Sequence, residues 1–431
     1  MKAYWDITSK CNLRCKHCGA VSSLEIEDAL SLCEVENIIS NVSGIVNSID
    51  FLGGEPFARE NFNEILQKCE SCDIAYSIIT NGQIEEERLK EIFANKTKLQ
   101  AILVSLEGLK EENDYIRGVG VFDRAIKTIL GLKRIRDNGS NKFAIGINMT
   151  LNNLNKYNID GILNLAINEL NVDYIQISPI LNLGNATMHN ELLLKDEDKI
   201  ECYMQLAERI KREQLQQKIR LSFNNQLFPE FLDALYGLTF PILGEGCTAG
   251  DGTIYINSLG EVKACRDCSE YIIDLKKENL LKHFEKMGTF LSRKSCKNII
   301  RNQCECIYKE TCNTCVLVED IEKPKICSII DARYDVDLLS ETKVFCINEP
   351  CCFYEDENRE VTAVYYPVAG EKVEYEKEGY EILKQIKHSG KTAADIANSL
   401  NLEKQIVFRF LVQEQSVNHV SQEVGYEKTF L

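Results

Sequence analysis

No run of about 18 consecutive apolar residues occurs in the 431-residue chain, so a membrane-spanning helix is not expected. The first residues, Met1-Lys2-Ala3-Tyr4-Trp5-Asp6-Ile7, carry an acid where a secretory signal would have its apolar stretch. Basic charge is also in short supply. Asp and Glu number 66 against 50 Lys and Arg, and the net charge of −16 repels a phosphate backbone. Long-period repeats and low-complexity tracts are missing too, which removes solenoids and disordered linkers. With 44% apolar and 27% charged residues, the composition is that of a globular protein of two or three domains. These features predict a soluble, cytoplasmic protein whose partners include neither nucleic acid nor membrane.

Cysteine, by contrast, is abundant. A chain this long builds a core without disulfides, and the cytoplasm keeps thiols reduced, so its 19 cysteines point to metal. Their number is odd and they cluster, at Cys11, Cys15 and Cys18 and again from Cys247 onward. Two separate cysteine-dependent sites are therefore expected.

From residue 3 to about 180, β-rich runs alternate with amphipathic helical stretches, the pattern of βα units around a parallel sheet or barrel. The expected strands are Ala3 to Thr8, Ser48 to Leu52, Ile74 to Thr80, Ala101 to Leu106, Phe143 to Thr150 and Val172 to Ser178. Helices are expected near 26–43, 59–70, 84–94, 123–137 and 157–169. The strand ends are polar, glycine-rich or cysteine-bearing, and such ends are where a barrel places its chemistry. Residues 191–245 read as a helical linker. After Cys352 an alternating strand to Tyr366 precedes three short helices, near 376–387, 393–400 and 403–414. Thr392, with Asp395 three residues on, reads as a helix cap.

Cys11, Cys15 and Cys18 follow the first strand with gaps of three and two residues, so a tight loop can aim three thiolates at one object. A [4Fe–4S] cluster normally takes four, and a missing fourth leaves one iron open to another ligand. A zinc site completed by His17 or a distant residue is the alternative. After the second strand, Gly53-Gly54-Glu55-Pro56 offers a backbone without side chains and one acid for an amine. Thr80-Asn81-Gly82, Ser105-Leu106-Glu107-Gly108 and the Arg117-bearing Asp114-to-Gly118 run lie at or beyond the ends of strands three and four.

In this order the motifs resemble the radical S-adenosylmethionine (SAM) enzymes over about 180 residues. The resemblance implies a partial (β/α)6 barrel in which Cys11, Cys15 and Cys18 hold one [4Fe–4S] cluster. His17 is then the ring-bearing residue before the third cysteine. Gly53, Gly54, Glu55 and Pro56 receive the methionine amine, Asn81 lies after strand three, and Ser105 and Glu107 reach the ribose region, while Arg117 serves the carboxylates. The activity implied is reductive cleavage of SAM to a 5′-deoxyadenosyl radical that takes a hydrogen atom from substrate.

Cys247, twelve residues, Gly260, four residues, Cys265 resembles the opening of a SPASM domain, with Gly260 in a hairpin turn. Cys304, Cys306, Cys312, Cys315 and Cys327 resemble its closing half, although two of its gaps are one residue shorter than usual. The resemblance implies two auxiliary clusters, one on Cys247, Cys265 and Cys315 with Cys268 or Cys296, the other on Cys304, Cys306, Cys312 and Cys327. A pair of zinc ribbons is the alternative. The tail resembles the PqqD-like fold, a small winged-helix α+β domain that captures a leader peptide as an added strand. The implied organisation is a barrel at 1–190, the linker at 191–245, a SPASM domain at 246–330 and a PqqD-like domain at 341–431.

The function implied is modification of a ribosomally made precursor peptide with a leader, with thioether formation as the expected reaction. A flavodoxin- or ferredoxin-type protein would donate single electrons. Carbon–carbon crosslinking, epimerisation and formylglycine formation on a sulfatase are the other radical chemistries, and Cys346 and Asp267 are the candidates for hydrogen donor and base. Outside this class stand an iron–sulfur regulator that binds DNA and a zinc-stabilised scaffold. Cys69 and Cys72 form a two-residue-spaced pair that reads as incidental thiols, and Cys33 and Cys202 read as buried helix residues.

Overall fold

The computed structural model describes residues 1–20, 22–93, 95–139, 142–215, 218–223, 249, 252–266, 272–287, 344–347, 351–356, 361–366, 371–387, 390–416 and 420–423. They fall into two compact units, the first running through residue 287 and the second starting at 344.

The first unit is built on one sheet. Its strands β1 (Lys2–Asp6), β2 (Ser48–Leu52), β3 (Ala75–Thr80), β4 (Leu99–Ser105), β5 (Ala144–Leu151), β6 (Tyr174–Pro179) and β7 (Arg220–Phe223) lie side by side in chain order, each parallel to the next. Parallel neighbours require a crossover. Helices supply it here: α1 (Leu32–Val42), α2 (Phe62–Ser71), α3 (Glu86–Phe93), α4 (Lys110–Arg117), α5 (Val121–Asn138), α6 (Ile159–Asn164) and α7 (Asp196–Glu213). The loops after the strands consequently emerge at the same edge of the sheet.

Local sequence explains these elements. Ser31 caps α1, its hydroxyl accepting from Glu34 N at 3.3 Å while the Glu34 carboxylate accepts from Ser31 N at 2.8 Å. Val35, Ile38, Ile39 and Val42 then bury one face of that helix, at helical spacing. Beneath the helices, Trp5, Phe51, Phe62, Phe57, Phe93 and Phe143 form a chain of ring contacts, with Phe51 meeting Phe62 edge-on at 5.5 Å.

All six expected strands are present, with ends displaced by no more than two residues. Two missed elements bear on the site and the sheet. Residues 110–117, read only as part of a motif, form helix α4. The segment 191–245 is not simply a helical linker, because after α7 the chain adds β7 to the sheet.

The hairpin expected around Asn257–Gly260 forms, and it belongs to the barrel's sheet. Strand β8 (Thr253–Ile256) pairs parallel with β1, and β9 (Glu261–Lys263) and β10 (Ile273–Asp274) continue antiparallel beyond it. Gly260 sits in the turn at φ +82°. Of the two cysteines that flank this hairpin in the SPASM-like opening, Cys265 is half-buried just past β9, and Cys247 lies outside the described residues.

The second unit holds two three-stranded sheets. One is ordered β15 (Lys391–Thr392), β11 (Val344–Ile347), β16 (Val420–Glu423). The other is β12 (Cys352–Asp356), β13 (Val361–Tyr366), β14 (Glu371–Tyr375), with β13 matching the expected alternating strand. The three expected helices appear at Lys377–Gln385, Ala393–Leu400 and Lys404–Ser416. Thr392 caps the middle one, accepting from Asp395 N at 3.1 Å. Phe345, Tyr380, Leu383, Ile396, Phe408 and Leu411 lie at the heart of this unit's own core. Among the described residues, no helix is long and apolar enough to cross a membrane.

Candidate active site at the strand ends

The loop after β1 carries Cys11, Cys15 and Cys18, which form no disulfide; the first two are buried and the third is half-buried. Burial raises the Cys11 thiol and pushes the Cys15 thiol up to about 11, with the Arg117 charge opposing the second shift. Cys18 Sγ donates to Ala20 O at 2.7 Å. Among the described residues no three His, Cys, Asp or Glu side chains gather closely enough to hold a single metal ion.

Backbone contacts fix this loop from three directions. Gly54 N donates to Thr8 O at 2.8 Å and Glu55 N to Lys10 O at 2.7 Å, stitching the turn after β2 onto the residues just ahead of Cys11. Lys16 N donates to Ile116 O at 2.9 Å, at the end of α4. Asn185, in the segment after β6, donates its backbone N–H to Cys18 O at 2.8 Å and its amide Nδ2 to Cys15 O at 3.0 Å. Ile116, Ile180, Ala186 and Leu192 pack as a small apolar cluster that ties those last two anchors together.

The glycines of the second turn lie against the chain's own backbone. A Cβ on Gly53, whose φ is +131°, would stand 2.3 Å from Thr8 O, and one on Gly54 would stand 2.1 Å from Lys10 O. Only residues without a side chain admit the backbone at this distance. Glu55 is fully buried and accepts from Phe57 N at 3.2 Å, Thr80 Oγ1 at 2.8 Å and Asn81 N at 2.6 Å. Burial raises its pKa, with those donors opposing the shift. Asn81 Nδ2 reaches Asn12 Oδ1 at 2.7 Å and lies 3.9 Å from Cys11 Sγ.

Glu107 lies two residues past the end of β4 and is completely buried. Its Oε1 accepts from Arg117, at 2.9 Å from Nε and closer still from Nη2, and lies 3.3 Å from His17 Nε2. Its Oε2 accepts from Thr150 N at 2.6 Å. Burial would raise this carboxyl, but Arg117 and His17 outweigh it and bring the pKa down to about 2. Both oxygens expected near a ribose are thus engaged by protein groups. Arg117 Nη1 lies 3.9 Å from Cys15 Sγ, and buried His17 Nδ1 meets no hydrogen-bond partner among the described residues. Ser105 is buried at the end of β4, and Pro56 opens a short 3-10 turn capped by Glu55.

Of the other expected site residues, Cys346 is half-buried on β11 in the second unit, opposite Ser421. Arg266, next to Cys265, lies 3.5 Å from Asp6 at the end of β1, and Tyr255 donates to the same carboxylate. Asp267, Cys268, Cys296, Cys304, Cys306, Cys312, Cys315 and Cys327 lie outside the described residues. Cys69 is fully buried, and burial drives its thiol pKa far up, so this member of the spaced pair is inert. Cys202 is buried as expected; Cys33 is exposed, because it falls on the outer face of α1.

Sequence reasoning missed Gly184 and Asn185. A Cβ on Gly184, at φ +56°, would stand 2.5 Å from Cys18 O. The signal available was a Gly-Asn pair soon after a strand end, on the side of the sheet where the other motifs gather.

Residues 5–166 match the family model of the Radical SAM superfamily. The chain carries a radical SAM domain. Members of this family use SAM and a [4Fe–4S] cluster. Among curated proteins, the chain is 32% identical over 169 residues to the Fe-coproporphyrin III synthase of Methanosarcina barkeri, covering 38% of this chain and 40% of that one. The AdoMet-dependent heme synthase of the same organism is 24% identical over 321 residues, 72% of this chain and 89% of its own. The mycofactocin maturase MftC of Mycobacterium tuberculosis is 32% identical over 131 residues, 30% and 33%. The matches to the first and third of these relatives therefore span less than half of their length.

Two solved structures share the fold. Streptococcus suis SuiB bound to its precursor peptide SuiA aligns with a TM-score of 0.54 at 20% identity, over 73% of this chain and 72% of that one. AnSMEcpe with bound AdoMet aligns with a TM-score of 0.58 at 17% identity, over 78% and 96%.

Proposed function

We propose that this protein is a radical SAM maturase that modifies a ribosomally made precursor peptide, with thioether formation as its reaction. The observation that carries the radical SAM part is the loop of three unpaired thiols, held at the strand ends by the Gly53-Gly54-Glu55 turn. The donor set suits an iron–sulfur cluster, since thiolates are its ligands and three of them leave one iron open. With SAM bound at that iron, the cluster supplies radical chemistry at a substrate carbon–hydrogen bond.

The protein's own residues have distinct tasks. Cys11, Cys15 and Cys18 would anchor the cluster. Glu55 offers a buried acid for an amine, and Asn81, Ser105 and His17 line the approach to the cofactor. Burial of the site limits water around a reactive species. The peptide substrate is supported by the named relative MftC, by SuiB, whose structure holds its precursor peptide, and by the second unit, whose small sheets offer strand edges for an extended leader. In this reading residues 246–330 carry two auxiliary clusters, the tail from 341 binds the leader, and a flavodoxin- or ferredoxin-type protein delivers electrons.

The test is anaerobic reconstitution followed by reduction with dithionite and addition of SAM. The protein should form 5′-deoxyadenosine, and the Cys11→Ala, Cys15→Ala, Cys18→Ala triple variant should form none. A cysteine-bearing peptide encoded beside the gene should lose two hydrogens, with the thiol blocked to alkylation. Cleavage of SAM without any change in such peptides sinks the maturase part.

A second reading has one observation behind it, the heme synthase relative that aligns over most of both chains. It makes the substrate a tetrapyrrole. Tight binding of a porphyrin, seen as a shifted visible absorption band, and its turnover with SAM would favour that reading.

A further inference from the structure

A fully buried carboxylate–guanidinium pair stabilises a fold little better than well-packed apolar side chains of the same volume would, so its presence asks for another reason. Glu107 and Arg117 form such a pair beside the three-thiol loop, with side chains 0% and 7% exposed. The surroundings leave this carboxylate little freedom. Thr150 N holds Oε2, Asn113 Oδ1 accepts from Glu107 N at 3.0 Å, and Asn155 Nδ2 donates to Glu107 O at 2.6 Å. Arg117 is fixed by Glu107 through Nε and Nη2, which leaves Nη1 toward Cys15 Sγ at 3.9 Å.

We infer that Glu107 is a positioning residue that aims Arg117 at Cys15, and that this couple sets the reduction potential of the cluster at Cys11, Cys15 and Cys18. An N–H donor and a positive charge beside a ligating sulfur favour the more negative, reduced state and so raise the potential. Glu107 limits that rise by neutralising the arginine. The two residues therefore push in opposite directions. The inference rests on the proposed cluster and adds that its potential is tuned from the end of β4 and from α4.

The test is a redox titration of the reconstituted full-length protein, following the electron paramagnetic resonance signal that changes when SAM is added. That change separates this cluster from any other. Arg117→Met should move the midpoint negative, lowering the reduced-to-oxidised ratio at fixed potential about tenfold, equal to about 59 mV for one electron. Glu107→Gln should move it positive, and the double variant should fall between them. Arg117→Lys, which keeps the charge and loses the fork, should show a smaller negative shift; if Arg117→Met loads no iron, this variant and Glu107→Gln decide by the same signs.

Shifts of one sign in both single variants, or none, with iron content and the SAM-dependent signal intact, overturn the inference. A wild-type protein with no SAM-responsive signal overturns the reading beneath it as well.

Discussion

Replacing Gly54 by alanine tests whether the cysteine loop is held by the turn after β2. The added Cβ would stand 2.1 Å from Lys10 O, 2.6 Å from Lys10 C and 3.0 Å from Ser9 O, all backbone atoms that no rotamer change can move aside. Relief requires the two segments to part, which breaks the bonds from Gly54 N to Thr8 O and from Glu55 N to Lys10 O. The two bonds contribute about 1 kcal/mol net each, and one buried group left unpaired while the others reach water costs about 1–3 kcal/mol more, so the expected loss is on the order of 3–5 kcal/mol. Gly44 is the control, since a Cβ there meets nothing within 4 Å. Chemical denaturation of the first unit's transition measures both variants. Iron bound per chain after reconstitution should fall for Gly54→Ala and stay unchanged for Gly44→Ala. Equal stability and equal iron in the two would refute the argument that this turn braces the loop.

Phe51 meets three rings under the helices, those of Trp5, Phe62 and Tyr76, and Phe51→Ala should cost about 3–5 kcal/mol by denaturant titration. In the folded protein at about pH 8, iodoacetamide should label exposed Cys33 and leave Cys69 untouched, because burial keeps the second thiol both covered and protonated; mass mapping of early labelling decides this. Glu107, held at about 2 against an ordinary 4.5, stabilises the fold fully above the higher value, and that contribution falls away as pH drops toward the lower one. Metal-free Glu107→Gln should lose part of this acid dependence, which stability curves taken across that window would show.

The barrel was legible because hydrophobic period is a local signal: Ile49, Phe51, Ile78 and Ile102 announce strands, and Val35, Ile38, Ile39 and Val42 announce a helix, without knowledge of what lies opposite. The thiol loop and the glycine turn were legible as motifs at strand ends. The couplings between them were not. Nothing in residues 105–117 says that Arg117 reaches both Glu107 and Cys15, nor that Thr150, on another strand, closes the carboxylate's second oxygen. The clasp by Gly184 and Asn185 joins positions about 170 residues apart, a separation invisible to any local pattern. Strand β7 is only four residues long and follows a polar helix, too brief for a periodic signal to stand out. The close approach of the Thr8 and Lys10 carbonyls to Gly53 and Gly54 was hidden for a similar cause: a sequence shows that a side chain is missing, not which backbone atom lies against the gap.

Strand β1 is interior to the sheet, with β2 on one flank and β8 on the other. The first partner arrives within 50 residues, whereas the second, Thr253–Ile256, is translated about 250 residues later. At about 5–20 residues per second, a ribosome leaves that flank bare for some 10–50 seconds. Over that interval the parent strand of the thiol loop has an open hydrogen-bonding edge. Completion of the thiol loop's support therefore comes to depend on late translation, and until then the loop hangs on a half-finished wall.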